Sequence, residues 1–396
     1  MVERGAAAGM PVGPSPRVLL LSKASLAAIY QRQMEHIAAA GIDLLALVPQ
    51  SWRDERGEQR FVRAHSQGYR LQALPLRGNG HFHLYSWRGL AAQLRAFRPD
   101  IVHIDEEPYN LSAWQAFYHA RRWGAKTLFA SWQNLRRNYP PPFRWGERWL
   151  LSGVDHALAG TRGCAAVWRA KGYRGPLTVI PQFGVDVRRF QPAGRPPERP
   201  FTVGYVGRLI AAKGVDLLLR ALRDLAGEWR LRIVGSGPQR AALARLTEEW
   251  GLTERVEFTP QLPSGEMPAV YHSLDVLVLP SRRTARWQEQ FGRVLTEAMA
   301  CAVAVVGAES GAIPEVIGAA GLLFPEGDVA ALTGRLRQLR SDEMGRKEMG
   351  ERGRQRVAQH FTQEIVAAQL VAVYRELQAG PTDPVQNDPM KKETDS

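Results

Sequence analysis

Two cysteines in 396 residues, Cys164 and Cys301, leave no disulfide framework and no cysteine-built zinc site, and a reducing cytoplasm suits such a chain. No Asp-x-Asp pair occurs and no cluster of carboxylates offers a seat for a hard divalent cation. No apolar run of about eighteen residues is present, and the first sixteen residues lack the apolar centre of a signal peptide, so neither membrane spanning nor secretion is expected. No strand-like segment is followed by G-x-G-x-x-G, which argues against a dinucleotide oxidoreductase. No nucleic-acid-binding motif accompanies the basic charge, so nucleic acid is not an expected partner.

What is present is a long chain with its charge on one side. The length exceeds one ordinary core and suits two domains. Residues 1–190 hold 26 Lys and Arg against 13 Asp and Glu, whereas the remaining 206 residues balance at 26 each. The whole net charge of +13 therefore lies in the N-terminal half, where it favours an anionic membrane or a phosphorylated substrate.

Hydrophobic periodicity alternates strand and helix along the chain. Residues 17–22 predict a buried strand, 27–40 a helix closed by Gly41, and 42–48 a second strand, the rhythm of a parallel sheet. The pattern continues to residue 180, then restarts at 201 after Pro192 to Pro200, which carries four prolines. The expected organisation is a disordered 1–16, an N-terminal domain over 17–190, a linker over 191–200 and a C-terminal domain over 201–360. A helix over 361–378 and a disordered tail over 379–396 complete it. In doubly wound sheets chemistry gathers at the carboxyl ends of strands, here after residues 22, 104, 130 and 180.

Glu289-Gln290-Phe291-Gly292 precedes a predicted helix over 293–300 that carries Glu297, an E-x7-E spacing. Gly292 permits close backbone approach, and the free N–H groups of the helix start can face a polyol or a phosphate. Upstream, the strand ending at Gly207 is followed by Arg208 and Lys213, a planar fork and a point charge suited to a diphosphate, bracketed by Gly207 and Gly214. Gly235-Ser236-Gly237-Pro238 adds a second glycine turn at a strand end.

Together with Ser310-Gly311-Ala312-Ile313-Pro314-Glu315-Val316-Ile317, these segments resemble glycosyltransferase family 4, over about residues 200 to 320. The resemblance implies a GT-B fold, α/β with two Rossmann-like doubly wound parallel-sheet domains facing across a cleft, and retaining hexosyl transfer from a UDP- or GDP-sugar without a cofactor or metal. It implies that Arg208 and Lys213 bind the donor diphosphate, that Glu289 lies by the donor sugar, and that backbone around Phe291 and Gly292 holds sugar hydroxyls. Glu297 would accept from the ribose, while Gly207, Gly235 and Leu262 border the nucleotide. The final helix would cross back to the N-terminal domain.

The N-terminal half departs from the family pattern. Ser22-Lys23-Ala24-Ser25 stands where a glycine pair is frequent, so Lys23 supplies a charge in place of a backbone cradle or the loop serves another purpose. Ser131-Trp132-Gln133-Asn134 lacks a frequent His, leaving Trp132, Gln133 or Asn134 to take its contact. Ala302 and Ala304 stand where glycine and proline are frequent, an alteration expected to touch packing alone. One acid of His103-Ile104-Asp105-Glu106-Glu107, with Asp105 the named candidate, could serve as acceptor base, beside the alternative of ordinary helix-start acids, and His103 is expected to be a buried strand residue.

Residues 136–150 interleave arginines with aromatics. Two readings stand: an interfacial surface for an anionic membrane, or a buried face of Trp145, Trp149 and Leu150 with arginines reaching around it. The first makes a lipid-linked acceptor at the inner face of the cytoplasmic membrane plausible, the second a soluble one. The expected function is transfer of a hexose to a hydroxyl of a surface glycan or glycolipid. The rivals are a sugar-nucleotide-binding protein without transfer activity and a GT-B sugar-nucleotide epimerase.

Overall fold

The computed structural model describes residues 15–54, 57–194 and 199–380. The expected disordered ends and the centre of the linker lie largely outside them. A seven-stranded, all-parallel sheet runs in the order Leu177–Val179, His156–Ala159, Lys126–Ser131, Ile101–Asp105, Arg17–Ser22, Asp43–Pro49, Arg70–Leu74. Strand order reverses between Arg17–Ser22 and Ile101–Asp105, where Ser22 pairs in register with Asp105. That switch point opens a crevice at the carboxyl ends of the two strands.

These strands read as continuous apolar runs because both faces are covered. Leu19, Leu21, Val102 and Ile104 point to one core, and Val18, Leu20 and Ile101 to the other. The second core is completed by Val366, Ala367, Leu370, Val371, Val373 and Tyr374 from the helix Gln363–Ala379, so the end of the chain packs on the N-terminal sheet.

The second sheet has six parallel strands in the order Val256–Thr259, Trp229–Val234, Phe201–Val206, Val276–Leu279, Ala304–Ala308, Leu322–Phe324. Its switch point lies between Phe201–Val206 and Val276–Leu279, so the loops after Val206 and Leu279 flank one crevice.

Several elements differ from the sequence expectation. The first half of the 27–40 helix is replaced by two 3₁₀ turns, Ala24–Leu26 and Ala28–Tyr30, and the α-helix spans only Arg32–Ala39. The cause is Gln31, wholly buried, whose amide donates to the carbonyls of Ser25 and Val62 and accepts from the N–H groups of Ala64 and His65. The strands Ser51–Asp54, Gly57–Arg60, Arg70–Leu74 and Leu322–Phe324 and the short helix Ile313–Ile317 are additional. The strand expected from Ala302 begins at Ala304, because Ala302 adopts a left-handed φ of 56°.

Tyr374 Oη lies 2.7 Å from His103 Nδ1, tying the last helix to the strand that carries Asp105. Burial pushes the His103 imidazole down to about 3, so it stays neutral, and its Nε2 is buried without a partner among the described residues. Tyr374→Phe strips the ring of its other partner. The expected loss is about 1–3 kcal/mol of unfolding free energy, read by urea denaturation.

Candidate active site

The strand Phe201–Val206 ends in a glycine-built corner. Gly207 and Gly235 have φ of 151° and 150°, and a Cβ on Gly235 would collide with the Gly207 carbonyl. The loop is pinned where Leu209 N–H donates to Ser236 O and Gln239 N–H to Leu209 O, both at 2.9 Å, while Tyr205 Oη donates to Arg208 O at 2.8 Å. The exposed Arg208 is held by its backbone at the rim of the crevice. Lys213 ends the turn Ala211–Lys213. Gly214 follows with φ of 67° and no room for a Cβ against the Pro280 carbonyl.

Lys213 and Glu289, 76 positions apart, meet across the switch point: Lys213 Nζ lies 2.6 Å from Glu289 Oε2. Ser281 Oγ donates to the same oxygen at 2.9 Å, and the Trp287 ring centre is 5.0 Å from the ammonium. Glu289 is nearly buried, and its carbonyl accepts from Ala312 N–H at 3.0 Å. Gly311, at φ of 56°, lets that backbone approach, since a Cβ would strike the Glu289 carbonyl. Gly292, at φ of 82°, caps the helix Arg293–Ala300. One turn in, Glu297 accepts from Tyr271 Oη at 2.6 Å and pairs with Arg293 Nε at 3.0 Å. Leu262 is half-buried against the C-terminal core.

The N-terminal domain reaches this cluster through residues 132–134. Asn134 Nδ2 donates to Glu289 O at 2.7 Å, Gln288 Nε2 to Asn134 O at 2.8 Å, and Gln290 Nε2 to Trp132 O at 3.0 Å. The Trp132 and Phe291 rings meet edge to face at 5.7 Å. Of the three residues considered for the missing histidine, Trp132 and Asn134 therefore touch the Glu289 turn. Gln133 turns inward, is buried, and donates to Leu135 O.

Asp105 is buried at the N-terminal switch point, accepting from Ser22 Oγ at 2.6 Å and from Gln182 Nε2. Burial raises its carboxyl to about 6. Glu107, raised by burial to about 7, accepts from Ser131 Oγ and Trp132 N–H and so fixes the loop that meets Glu289. The crevice at this switch point is lined by Ser22, Gln33, His103, Asp105, Trp132 and Gln182. Lys23 stays among aromatic rings of its own domain. Its ammonium sits 4.5, 4.2 and 5.3 Å from the rings of Trp52, Phe82 and Tyr85, an aromatic cage that holds the cation on the N-terminal domain.

Ser281, Trp287, Tyr271 and Gln182 are site residues that sequence reasoning did not single out. Ser281 had a usable signal, its place just past the strand Val276–Leu279. Among the described residues no group of three or more His, Cys, Asp or Glu is arranged to hold a metal.

Two parallel-sheet α/β domains with their switch points turned to a shared cleft define the GT-B class. Residues 186–356 match the model of Glycosyl transferases group 1, and residues 26–182 match the Glycosyl transferase 4-like domain. The chain belongs to this family of GT-B glycosyltransferase-like proteins, glycosyltransferase family 4. It is 40% identical over 271 residues to 2-deoxystreptamine N-acetyl-D-glucosaminyltransferase of Streptomyces fradiae, covering 60% of this chain and 62% of that protein. It is 30% identical over 317 residues to D-inositol 3-phosphate glycosyltransferase of Salinispora tropica, covering 70% and 64%. The match to the putative colanic acid biosynthesis glycosyltransferase WcaL of Escherichia coli, at 34%, covers 50% of this chain and 51% of that protein, so the chain spans about half to two thirds of the curated relatives it matches. Among solved structures, sucrose-phosphate synthase from Thermosynechococcus elongatus superposes with a TM-score of 0.71 at 21% identity, covering 92% of this chain and 99% of that one. Anabaena HepE in complex with UDP and glucose gives 0.68 at 17%, covering 91% and 99%.

Asp105 carries a stability prediction. A buried carboxyl raised from 3.8 to about 6 is costly when ionised, by about 3 kcal/mol. The cost grows as pH rises from about 4 to about 6 and is complete above that. Asp105→Asn removes the ionisation, so its unfolding free energy relative to wild type should rise between pH 4 and pH 7. A flat difference across that range, in parallel denaturant titrations, contradicts the raised carboxyl.

Proposed function

We propose that the chain is a retaining, metal-independent hexosyltransferase that uses a UDP- or GDP-sugar and a hydroxyl of a glycan or lipid-linked sugar as acceptor. The observation that carries the proposal is the Lys213–Glu289–Ser281 cluster at one switch point, gripped from the facing domain by Asn134. Arg208 and Lys213 receive the diphosphate, with backbone N–H groups at the start of the Arg293–Ala300 helix. Glu289 takes a donor-sugar hydroxyl or faces the anomeric carbon, and Glu297 takes the ribose.

In the transfer step the bond from the anomeric carbon to the β-phosphate oxygen breaks, and its electron pair leaves with the nucleoside diphosphate. The acceptor oxygen bonds to the same face of that carbon, and its proton passes to the leaving phosphate. Fixed cations favour the charge growing on the diphosphate, and the carboxylate of Glu289 favours the oxocarbenium-like carbon. Asp105, ionised above about pH 6, lies on the acceptor side and orients the incoming hydroxyl. The donor-base alternatives follow the relatives: one in Mycolicibacterium smegmatis is named a GDP-mannose-dependent mannosyltransferase, and HepE is described with UDP-glucose.

The test is a panel of UDP-, GDP- and ADP-sugars, with and without a chelator, on wild type and three variants. One nucleotide class should raise the melting temperature, and Arg208→Ala and Lys213→Ala should weaken its binding about tenfold or more. Glu289→Ala should lower turnover by a factor of about 10² or more, with product keeping the donor's anomeric configuration. Binding without turnover in the presence of acceptor glycans would support a binding protein, and conversion of the donor sugar without acceptor would support an epimerase. Silence toward every sugar nucleotide would overturn the proposal.

A further inference from the structure

The helices Leu111–Arg122 and Phe143–Gly153 lie side by side on the N-terminal domain: Gly146 sits against the Trp114 ring and Gly153 against Phe117 and Arg121. Each glycine permits a close approach, so the two helices form one shallow slab. Leu150 and Glu147 turn inward and are buried, and Glu147 is consumed by Lys171 at 2.5 Å. The opposite side is exposed. Trp145 is 61% exposed and Trp149 43%, one turn apart on one stripe, with Tyr118 51% exposed on the neighbouring helix and Trp123, 44% exposed, just past its end against Arg95. The buried-face alternative for Trp145 and Trp149 is thereby corrected: only Leu150 of that trio enters the core.

Charge completes the pattern. From Pro108 to Gly153 the chain carries seven Lys and Arg and a single acid, the buried Glu147. Arg121, Arg122, Arg144 and Arg148 are exposed on these helices, so the slab presents cations beside indole and phenol rings with no exposed carboxylate to neutralise them. The loop bearing exposed Phe82 and Leu84 is pinned to its edge by His83, whose ring lies 5.4 Å from Phe143 and whose carbonyl accepts from Leu111 N–H.

We infer that this two-helix face is a docking surface for an anionic lipid bilayer. Arginines meet acidic headgroups, and Trp and Tyr seat at the boundary between headgroup and acyl chain. The face adjoins the cleft, because the loop running into Phe143–Gly153 is the one whose Trp132 and Asn134 touch the Glu289 turn. Docking there holds the rim of the cleft at the membrane surface. The inference stands on the face alone and does not require the transferase proposal.

The experiment uses the full chain with vesicles of phosphatidylcholine alone or mixed with phosphatidylglycerol. The expected result is binding to the mixed vesicles about tenfold or more tighter than to neutral ones at about 0.1 M salt, weakened at high salt. Arg144→Glu with Arg148→Glu should cut that affinity about tenfold or more, with the melting temperature and sugar-nucleotide binding unchanged. Trp145→Ser, which empties only a solvent-facing position, should reduce quenching of tryptophan emission by brominated lipid. Equal binding to neutral and anionic vesicles, no binding to either, or an unaltered charge-reversed variant would overturn the inference. So would a dimer, formed without lipid, that Trp145→Ser dissociates, since a second copy would then be the occupant.

Discussion

The ion pair between Lys213 and Glu289 is the contact through which the rest of the molecule acts. It joins the loop after the first strand of the C-terminal sheet to the loop after the fourth, across the point where strand order reverses. A cation and a carboxylate held 2.6 Å apart in a mostly buried site need further polar partners, and Ser281 supplies one on the carboxylate. The surrounding glycines follow from this need. Gly214 brings the Lys213 turn against Pro280, and Gly311 brings a neighbouring loop against Glu289, approaches that any Cβ would block.

The same pair explains how the two domains communicate. Glu289 uses its side chain for Lys213 and its carbonyl for Asn134, so a shift of this residue would be felt in the opposite domain. Glu107 holds the Ser131–Trp132 backbone that presents Asn134, and the last helix ties Tyr374 to His103 two residues before Asp105. The N-terminal contribution is thus a braced frame rather than a single side chain. Its missing glycine pair and histidine are accommodated differently: Lys23 is withdrawn into an aromatic cage, while Trp132 and Asn134 touch the Glu289 turn.

Much of this was legible in the chain. The strands Arg17–Ser22, His156–Ala159 and Phe201–Val206 and the helix Arg293–Ala300 fall where periodicity puts them, because each is buried and its pattern is set by burial. Lys213 and Glu289 could be named because glycines mark their turns. Legibility ended where distant contacts overrule local pattern. Gln31 spends its amide on residues more than thirty positions away and breaks the helix that its neighbours would form. The short helix Ile313–Ile317 carries no periodic signal of its own, and Pro314 sits in its first turn, where proline is tolerated. Trp287 carries no local signature, since its importance lies in the ammonium of Lys213 that its ring faces. The exposure of Trp145 and Trp149 was equally hidden, since aromatic and arginine spacing fits a buried stripe as well as a surface one until the packing of Gly146 and Leu150 fixes the helix rotation.

The most direct measurement is a crystal structure grown with an intact, non-transferable sugar nucleotide of the class that stabilises the protein. The account predicts the diphosphate between Arg208, Lys213 and the start of the Arg293–Ala300 helix, with Lys213 Nζ turned from Glu289 to phosphate oxygen and the sugar beside Glu289. A diphosphate bound elsewhere, with the Lys213–Glu289 pair intact, would contradict it.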